Sequence, residues 1–353
     1  MKALALQSLF IFLAIIVAYQ AKATVLWMGG EDLDFQAGDP ICTNTAASSY
    51  RSGYARFSVY ACGPNFKISR ASTAFNGGPV TSVWISGRAI HTFNDNPARS
   101  FGVGRTGKQS SLWVGNTSGN GFRTSLWKYD GTTWTNLASE SNQSISVGTI
   151  TKFDMEIVSY GATATVRVYV NGGFSPIITY TGDVTGGGAT DLDQMVVSGQ
   201  LGGAQTVFSS ELLASNTDTR LMSVVTHAPN LAGTTTAWTG AFTDVNENTI
   251  NDATIVTSAT SAQNEQFQLT DLPSGSFSVQ SVRLSSRSSS TGAGISGYSL
   301  GVFTNAAVSV PSPISLTPAW TPIETYYSIN PITSSVWTPS EINSLQMNMQ
   351  SAP

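Results

Sequence analysis

The chain has 353 residues, a length that forms one large domain or two of ordinary size. Only 11% of the residues are charged, and the net charge of −4 leaves no cationic excess for binding nucleic-acid phosphates. The two His and two Cys residues argue against a His-rich zinc site and a Cys-x-x-Cys redox centre.

Residues 1–23 have the pattern of a secretion signal. Lys2 precedes an apolar stretch, and Ala21-Lys22-Ala23 has the small-x-small pattern that signal peptidase recognises. We expect cleavage after Ala23, and the alternative is an uncleaved N-terminal anchor. No later stretch is long and apolar enough to cross a bilayer, so the mature chain is expected to have no membrane span.

Cys42 and Cys62 are the two cysteines, and export determines how they are interpreted. In an oxidising compartment they can form one disulfide, which stabilises a loop of this size by roughly 3 kcal/mol. Their neighbours are typical of a strand end and a turn, so we expect them on adjacent antiparallel strands. Two buried free thiols are the alternative.

After residue 24, apolar and polar residues alternate in short stretches. In residues 163–170 the valines share one face, and Asn171-Gly172 follows as a hairpin turn signal. Asp130-Gly131 marks a second hairpin in the same way. Short alternating strands separated by such turns predict an all-β protein built as a β-sandwich or jelly roll.

A shift in charge divides the chain. Residues 24–215 contain twelve basic and thirteen acidic residues, whereas residues 216–353 contain three and eight. We place a boundary near residues 214–222, which gives two antiparallel β-sandwich domains, residues 24–215 as a jelly roll and residues 216–353 as the second sandwich. A short C-terminal helix is expected where Thr338-Pro339-Ser340-Glu341 forms a capping box.

A first resemblance concerns residues 100–215. There the strand KFDMEIVSYG followed by ATATVRVYVNGG resembles the central hairpin of concanavalin A-like and laminin G-like jelly rolls. That superfamily includes lectins, carbohydrate-binding modules, glycosidases, lyases and structural virion domains. The resemblance implies a concanavalin A-like fold for the first domain.

A second resemblance is to a domain of bacteriophage structural and tail-associated proteins. It covers residues 220–350 and is carried by AWTGAFTDVNENTIND, LPSGSFSVQSVRL and NPITSSVWTPSEINSL; VLWMGGEDLDF, at the start of the mature chain, is similar to the opening of such proteins. It implies a virion role and, because tail proteins are often trimeric, a homo-oligomer. Virion proteins normally carry no secretion signal, so the location is open between extracellular and virion.

The most metal-like segment is DVNENTIND. Its oxygen-bearing residues occupy positions 1, 3, 5 and 9 of a calcium loop and are Asp244, Asn246, Asn248 and Asp252. Glycine is missing at position six and a carboxylate at position twelve, which favours a hydrogen-bonded turn over a calcium site. Asp191 and Asp193 form a second, smaller oxygen cluster with the same two interpretations. Beyond calcium, the sequence indicates no cofactor.

Recognisable catalytic patterns are missing from the sequence. Asp154 and Glu156 alternate on one strand at a spacing that a glycosidase pair can use, but the compact E-x-D-x-x-E motif of jelly-roll glycosidases does not occur. We therefore interpret these two carboxylates as a solvated strand face. His91 and His227 are isolated, without a G-x-S-x-G elbow. The sequence predicts no catalytic residue and a non-enzymatic protein.

Aromatic residues are the clearest functional signal. Trp127, Tyr129 and Trp134 lie in one predicted hairpin. Alternation places Trp127 and Tyr129 on the same strand face, with Arg123 four residues before Trp127. Exposed rings stack on the C–H faces of sugars, which predicts a glycan-binding platform from these four residues. The alternative is that the rings pack in the sandwich core or at a subunit interface.

Three functions are consistent with these observations. The first is a non-enzymatic, phage-type virion or tail-associated structural protein with a surface-display or glycan-attachment role. Its expected partners are cell-surface glycans and other virion or surface proteins. The second is a secreted, lectin-like bacterial adhesin or carbohydrate-binding protein. The third, a secreted polysaccharide hydrolase or lyase, is permitted by the fold and disfavoured by the missing acid motif.

Overall fold

The computed structural model describes residues 24–29, 34–35, 42–46, 58–62, 68–91, 98–116, 123–146, 148–198, 207–246, 252–276, 278–290 and 295–353. Residues 42–46 and 58–62 are described by their backbone alone. The predicted secretion signal, residues 1–23, lies outside the described residues. Within the described ranges, no helix is long and apolar enough to cross a membrane.

The prediction of an all-β, antiparallel protein is confirmed. The strands of the first part are β1 (Val25–Gly29), β2 (Cys42–Ala46), β3 (Ser58–Cys62), β4 (Ile68–Arg70), β5 (Val83–His91), β6 (Arg99–Gly104), β7 (Ser111–Asn116), β8 (Thr124–Tyr129), β9 (Trp134–Ser139), β10 (Thr151–Val158), β11 (Ala164–Val170), β12 (Ile178–Gly182), β13 (Gln194–Ser198) and β14 (Val207–Ser215). The elements of the second part are β15 (Pro229–Thr236), β16 (Asn264–Leu269), β17 (Val282–Ser288), β18 (Gly297–Thr304), β19 (Ala307–Ser309), β20 (Ile314–Ser315), β21 (Thr321–Tyr327), α1 (Pro339–Asn343) and β22 (Gln346–Ala352).

The first part is a sandwich of two sheets. Sheet I has the order β12-β11-β10-β5-β14-β3-β2, with β1 also paired to β14, and sheet II has the order β4-β13-β6-β7-β8-β9. The core lies between them, where Phe153 and Met155 of sheet I and Phe101 and Val103 of sheet II are fully buried. Alternate residues of the same strands point away from this core. Each sheet therefore has an outer face on which a site can form.

The hairpin turns form where the sequence predicts them. Asn171 (φ 50°) and Gly172 (φ 74°) both adopt the left-handed conformation after β11. Gly131 (φ 106°) follows Asp130 between β8 and β9. The Asp130 carboxylate accepts hydrogen bonds from the backbone N–H groups of Thr132 (2.8 Å) and Thr133 (2.7 Å), which fixes this turn.

The second part forms sheet III, with the order β15-β16-β22-β18-β19 and β20 beside β18, and the two-stranded sheet IV of β17 and β21. Its own hydrophobic cluster includes Phe267, Leu300 and Val302. The predicted helix α1 is present. The Glu341 N–H donates to Thr338 Oγ1 (3.2 Å) and the Thr338 N–H donates to the Glu341 carboxylate (2.8 Å), as a capping box requires.

A buried ion cluster joins the two parts. Arg283 Nη2 on β17 lies 2.6 Å from the Asp34 carboxylate of the first part and 2.5 Å from the Glu324 carboxylate on β21. Arg283 Nη1 also donates to the Met28 carbonyl oxygen on β1 (2.6 Å). All three charged side chains are at most 7% exposed. One arginine thus connects sheet IV to the sandwich.

The backbone places Cys42 and Cys62 directly opposite each other. They are register partners in the antiparallel pair β2–β3, so the expectation of adjacent antiparallel strands is confirmed. The side chains lie outside the described part of the chain, and the disulfide stays a prediction.

The segment that follows β14 packs on the outer face of sheet I. Lys152 Nζ donates to the carbonyl oxygens of Thr219 (2.8 Å) and Arg220 (2.7 Å), and Thr219 Oγ1 donates to Asp154 (2.8 Å). Lys152 Nζ also lies 3.2 Å from the Asp154 carboxylate. The interpretation of Asp154 as part of a solvated face is therefore wrong. Alternation predicts which face a residue occupies, but not which distant segment covers that face.

His91, at the end of β5, is expected to make stability depend on pH. It is 3% exposed, its Nε2 lies 2.8 Å from Ser100 Oγ, and burial lowers its pKa to about 4. The unfolded chain binds a proton at this residue with a pKa of about 6.5, so acid favours unfolding. Between pH 7 and pH 4 the wild type should lose roughly 3 kcal/mol more stability than His91→Gln. Urea titrations of both proteins at several pH values measure this, and parallel pH curves would contradict it.

Candidate functional site

Four aromatic rings lie together on the outer face of sheet II. In β8, Leu126 points into the core, so its neighbour Trp127 and then Tyr129 point outward. The strand register places Trp113 of β7 opposite Trp127, and Tyr129 opposite Trp134 of β9. We call Trp113, Trp127, Tyr129 and Trp134 the aromatic face. It contains all three rings that the sequence predicts for a glycan site.

The rings of the aromatic face pack on one another. Tyr129 and Trp134 are stacked, with centroids 4.7 Å apart and an interplanar angle of 27°, and Trp113 lies 5.5 Å from Trp134. Trp113 is fully buried, whereas the other three are half-buried. None of the four belongs to the hydrophobic cluster between sheets I and II. They form a separate aromatic layer on the outside of the sandwich.

Arg99, at the start of β6, lies within this layer. Its guanidinium carbon is 3.7 Å from the centroid of the Trp127 ring and 4.6 Å from that of Trp134. Arg99 is 1% exposed, and burial lowers its pKa to about 9, which leaves it protonated at neutral pH. A desolvated cation–π contact of this kind contributes roughly 2 kcal/mol. Arg99 therefore fixes the positions of two of the rings.

The arginine that contacts the aromatic face is Arg99, whereas the sequence pattern predicted Arg123. Arg123 precedes β8 and is half-buried, and no hydrogen bond, ion pair or ring contact of its side chain is found among the described residues. The structure does not bring it onto the rings. Arg99 is 28 positions before Trp127 in sequence, and no local pattern links the two residues. The pairing of β6 with β7 and of β7 with β8 is what brings them together.

Exposed polar groups lie beside the aromatic face. Asn136 is the register partner of Trp127 on β9, and its side-chain N–H donates to Ser139 Oγ (3.2 Å). Ser139 Oγ is also 3.0 Å from Ser125 Oγ on β8. Asn136 and Ser139 are exposed. Half-buried rings next to an amide and hydroxyl groups provide both apolar contact and hydrogen bonding to a ligand at this surface.

The proposed calcium loop is only partly described. Asp244 accepts a hydrogen bond from the Ala241 N–H (2.8 Å) in a short 3-10 helix, Phe242–Asp244, and Asp252 pairs with Arg287 at 2.9 Å. Asn246 belongs to the described residues, whereas Asn248 lies outside them. The described ranges contain no group of three or more His, Cys, Asp or Glu that could hold a metal ion. The calcium site stays a prediction.

The other carboxylates singled out from the sequence bind arginine or lysine side chains. Arg105 pairs with Asp193 and, at 2.8 Å, with Asp191. Glu156 pairs with Arg167 at 2.7 Å, while Asp154 is buried against Lys152. Each of these carboxylates is thus neutralised by a basic residue of its own sheet or a neighbouring loop.

Comparisons with known proteins give only distant similarity. No family model matches the chain, and no curated protein matches it. The CBM2 module of the evolved Dit protein of Lactobacillus casei BL23 phage J-1 shares 14% identity, covering 56% of this chain and 98% of that chain, with a TM-score of 0.35. The carbohydrate-binding module CBM66 from Bacillus subtilis shares 9% identity, covering 49% and 91%, with a TM-score of 0.33. The heptameric SAP-like pentraxin from Limulus polyphemus shares 15% identity, covering 48% and 74%, with a TM-score of 0.30.

Proposed function

We propose that this protein binds carbohydrate through the aromatic face of sheet II. The observation that carries the proposal is the position of these rings, which pack outside the sandwich core and beside exposed amide and hydroxyl groups. A sugar ring has apolar C–H faces and a polar rim. The half-buried rings Trp127, Tyr129 and Trp134 can stack on the apolar C–H faces, and Asn136 and Ser139 can form hydrogen bonds with the polar rim.

The role of Arg99 in this proposal is to hold the rings. Its guanidinium lies against both Trp127 and Trp134, so neither indole can rotate without losing that contact. Rings that are fixed before binding lose little conformational freedom when a ligand stacks on them. Arg99 is therefore a positioning residue, since at 1% exposure it is not itself a contact for sugar.

We propose binding without hydrolysis. A glycosidase needs one carboxyl group that can donate a proton and a second that is free to act as base or nucleophile. Asp154 lies beneath the segment after β14, and Glu156 is held by Arg167. Neither group is arranged for that chemistry, which supports a binding protein over a hydrolase. Release of reducing ends or unsaturated sugars from polysaccharides would contradict this part of the proposal.

Replacing Trp127 tests the proposal directly. Trp127→Ala should abolish the retardation of the protein in native gels that contain a polysaccharide bound by the wild type. The substitution removes one ring and the nearer of the Arg99 contacts with Trp127 and Trp134. The matched control is Trp84→Ala. Trp84 is a half-buried tryptophan on the outer face of sheet I, stacked on Tyr169 at 5.5 Å and approached by Arg220. The control should bind like the wild type, and equal losses in both variants would contradict the assignment to sheet II.

We propose two alternative biological settings for this binding. In one, the protein is a phage-type virion or tail-associated component that attaches to cell-surface glycans. In the other, it is a secreted lectin-like adhesin. Mass spectrometry of purified particles and of the culture medium separates them, since stoichiometric presence in particles supports the first and a soluble chain that starts at Thr24 supports the second.

A further inference from the structure

A large cleft lies in the second part of the chain, far in sequence from the aromatic face. Its volume is about 1770 Å³. It is bounded by the inner face of sheet III, by sheet IV, and at one end by residues of β1 and β14. Pockets for small ligands usually measure roughly 300 to 1,000 Å³, so this cleft can take a longer molecule.

The cleft exists because a narrow sheet covers a wide one. Sheet III has five strands along its main order, and sheet IV has two, so part of the apolar surface of sheet III is left without a partner layer. Leu269 of sheet III is only partly buried, and it lines the cleft together with other partly buried residues that pack against the hydrophobic cluster of the second part: Trp238, Val256, Val279, Val282 and Leu316. Met347 and Met349 of β22 line it too, and flexible methionines adapt to ligands of different shape.

The charges of the cleft argue against an anionic ligand. The described residues that line it include five aspartates and two arginines. Arg283 is held by Asp34 and Glu324, and Arg287 is held by Asp252. Burial lowers the pKa of His227, whose Nδ1 contacts the Thr270 carbonyl oxygen, so this residue supplies no positive charge at neutral pH. A carboxylate or phosphate would meet a net negative lining.

Hydroxyl groups, in contrast, are abundant on the cleft wall. Ser286 and Ser288 share the face of β17 that carries the core residue Leu284, their Oγ atoms lie 3.3 Å apart, and both residues line the cleft. Tyr298 of β18 lines the same cleft. Hydroxyl groups can donate to and accept from an uncharged, hydroxylated head group. An apolar wall that carries these hydroxyl groups, and whose described arginines are both ion-paired, fits a neutral amphipathic molecule.

We propose that this cleft binds a neutral long-chain acyl lipid whose head group carries hydroxyl groups. The acyl chain lies along the apolar wall formed by Val256, Leu269 and Val282, and the head group contacts the hydroxyl groups of β17. This site is separate from the aromatic face, and its occupation does not depend on glycan binding.

Displacement of the neutral dye Nile red from the full-length protein tests this site. 1-Monopalmitoylglycerol should displace the dye in a saturable manner and raise the thermal midpoint, and palmitate, which is anionic, should bind at least tenfold more weakly. Val256→Trp fills the cleft and should weaken binding at least tenfold. The matched control is Val308→Trp on β19, where the side chain is 43% exposed outside the cleft lining, and it should bind like the wild type.

Three results would overturn the proposal. They are no displacement by 1-monopalmitoylglycerol up to its solubility, palmitate binding as tightly as the neutral lipid, or equal loss of binding in Val256→Trp and Val308→Trp. Should Val256→Trp lack a cooperative unfolding transition, Val279→Trp, which fills the same cleft from another segment, takes its place with the same expected result. Polysaccharide retardation of each variant, which should be unchanged, separates this site from the proposed glycan site.

Discussion

Replacing Arg283 with Met is expected to lower the free energy of unfolding by about 3–5 kcal/mol. In the folded protein its guanidinium lies between the carboxylates of Asp34 and Glu324, and these three side chains are 7%, 3% and 5% exposed. Without the arginine, two buried carboxylates face each other with no cation and little water. The loss should be partly reversed when Glu324→Gln is added, because that change removes one of the two unpaired charges.

Arg287→Met is the matched control for this prediction. Arg287 lies on the same strand, β17, and pairs with Asp252, but the two side chains are 26% and 37% exposed. An ion pair that water reaches contributes at most about 1 kcal/mol, so its loss should be small. Urea unfolding of the two variants gives both values. Equal destabilisation would contradict the conclusion that the buried ion cluster stabilises the protein more than an exposed ion pair of the same strand does.

Combined replacement of Trp127, Tyr129 and Trp134 by Ala is expected to abolish carbohydrate binding while the protein remains folded. The three rings are half-buried and lie outside the core, so each should contribute about 1–2 kcal/mol to stability, less than a core aromatic residue. The substitutions remove the three half-buried rings of the aromatic face and, with them, the contacts of Arg99 with Trp127 and Trp134. Calorimetric titration with a glycan that the wild type binds measures the loss of carbohydrate binding. Thermal unfolding measures the change in stability.

The control for the triple variant removes a similar cluster from the other sheet. Trp84 and Tyr169 stack on the outer face of sheet I, and Arg220 lies over both rings at 5.4 and 4.7 Å. Trp84→Ala with Tyr169→Ala should destabilise the protein comparably and leave carbohydrate affinity unchanged. Loss of cooperative unfolding in the triple variant alone would instead indicate that its rings act as core.

The parts of the fold that depend on neighbouring residues could be predicted from the sequence. The alternation of residues 163–170, the Asn171-Gly172 and Asp130-Gly131 turns, and the capping box of Thr338 and Glu341 all form as expected. Each of them is determined within a few residues by side-chain period, by backbone conformation or by a local hydrogen bond. The shared face of Trp127 and Tyr129 belongs to the same class of local prediction.

Contacts between segments that are distant in sequence could not be predicted from the sequence pattern. The burial of Asp154 depends on Thr219, which lies 65 positions later, and the link from Arg283 to Met28 spans 255 positions. The cation at the aromatic face is Arg99 and not the nearby Arg123, because strand order and not sequence distance decides which side chains meet. Residue type and period alone do not specify the order of strands in a sheet, so these partners emerge only from the folded chain.

A glycan microarray probed with the full-length protein tests the central claim most directly. We expect the wild type to bind a limited set of glycans, and the triple variant of Trp127, Tyr129 and Trp134 to bind none of them while it retains a cooperative unfolding transition. Wild-type protein that binds no glycan, or a triple variant that binds the same set with equal strength, would contradict carbohydrate recognition by the aromatic face of sheet II.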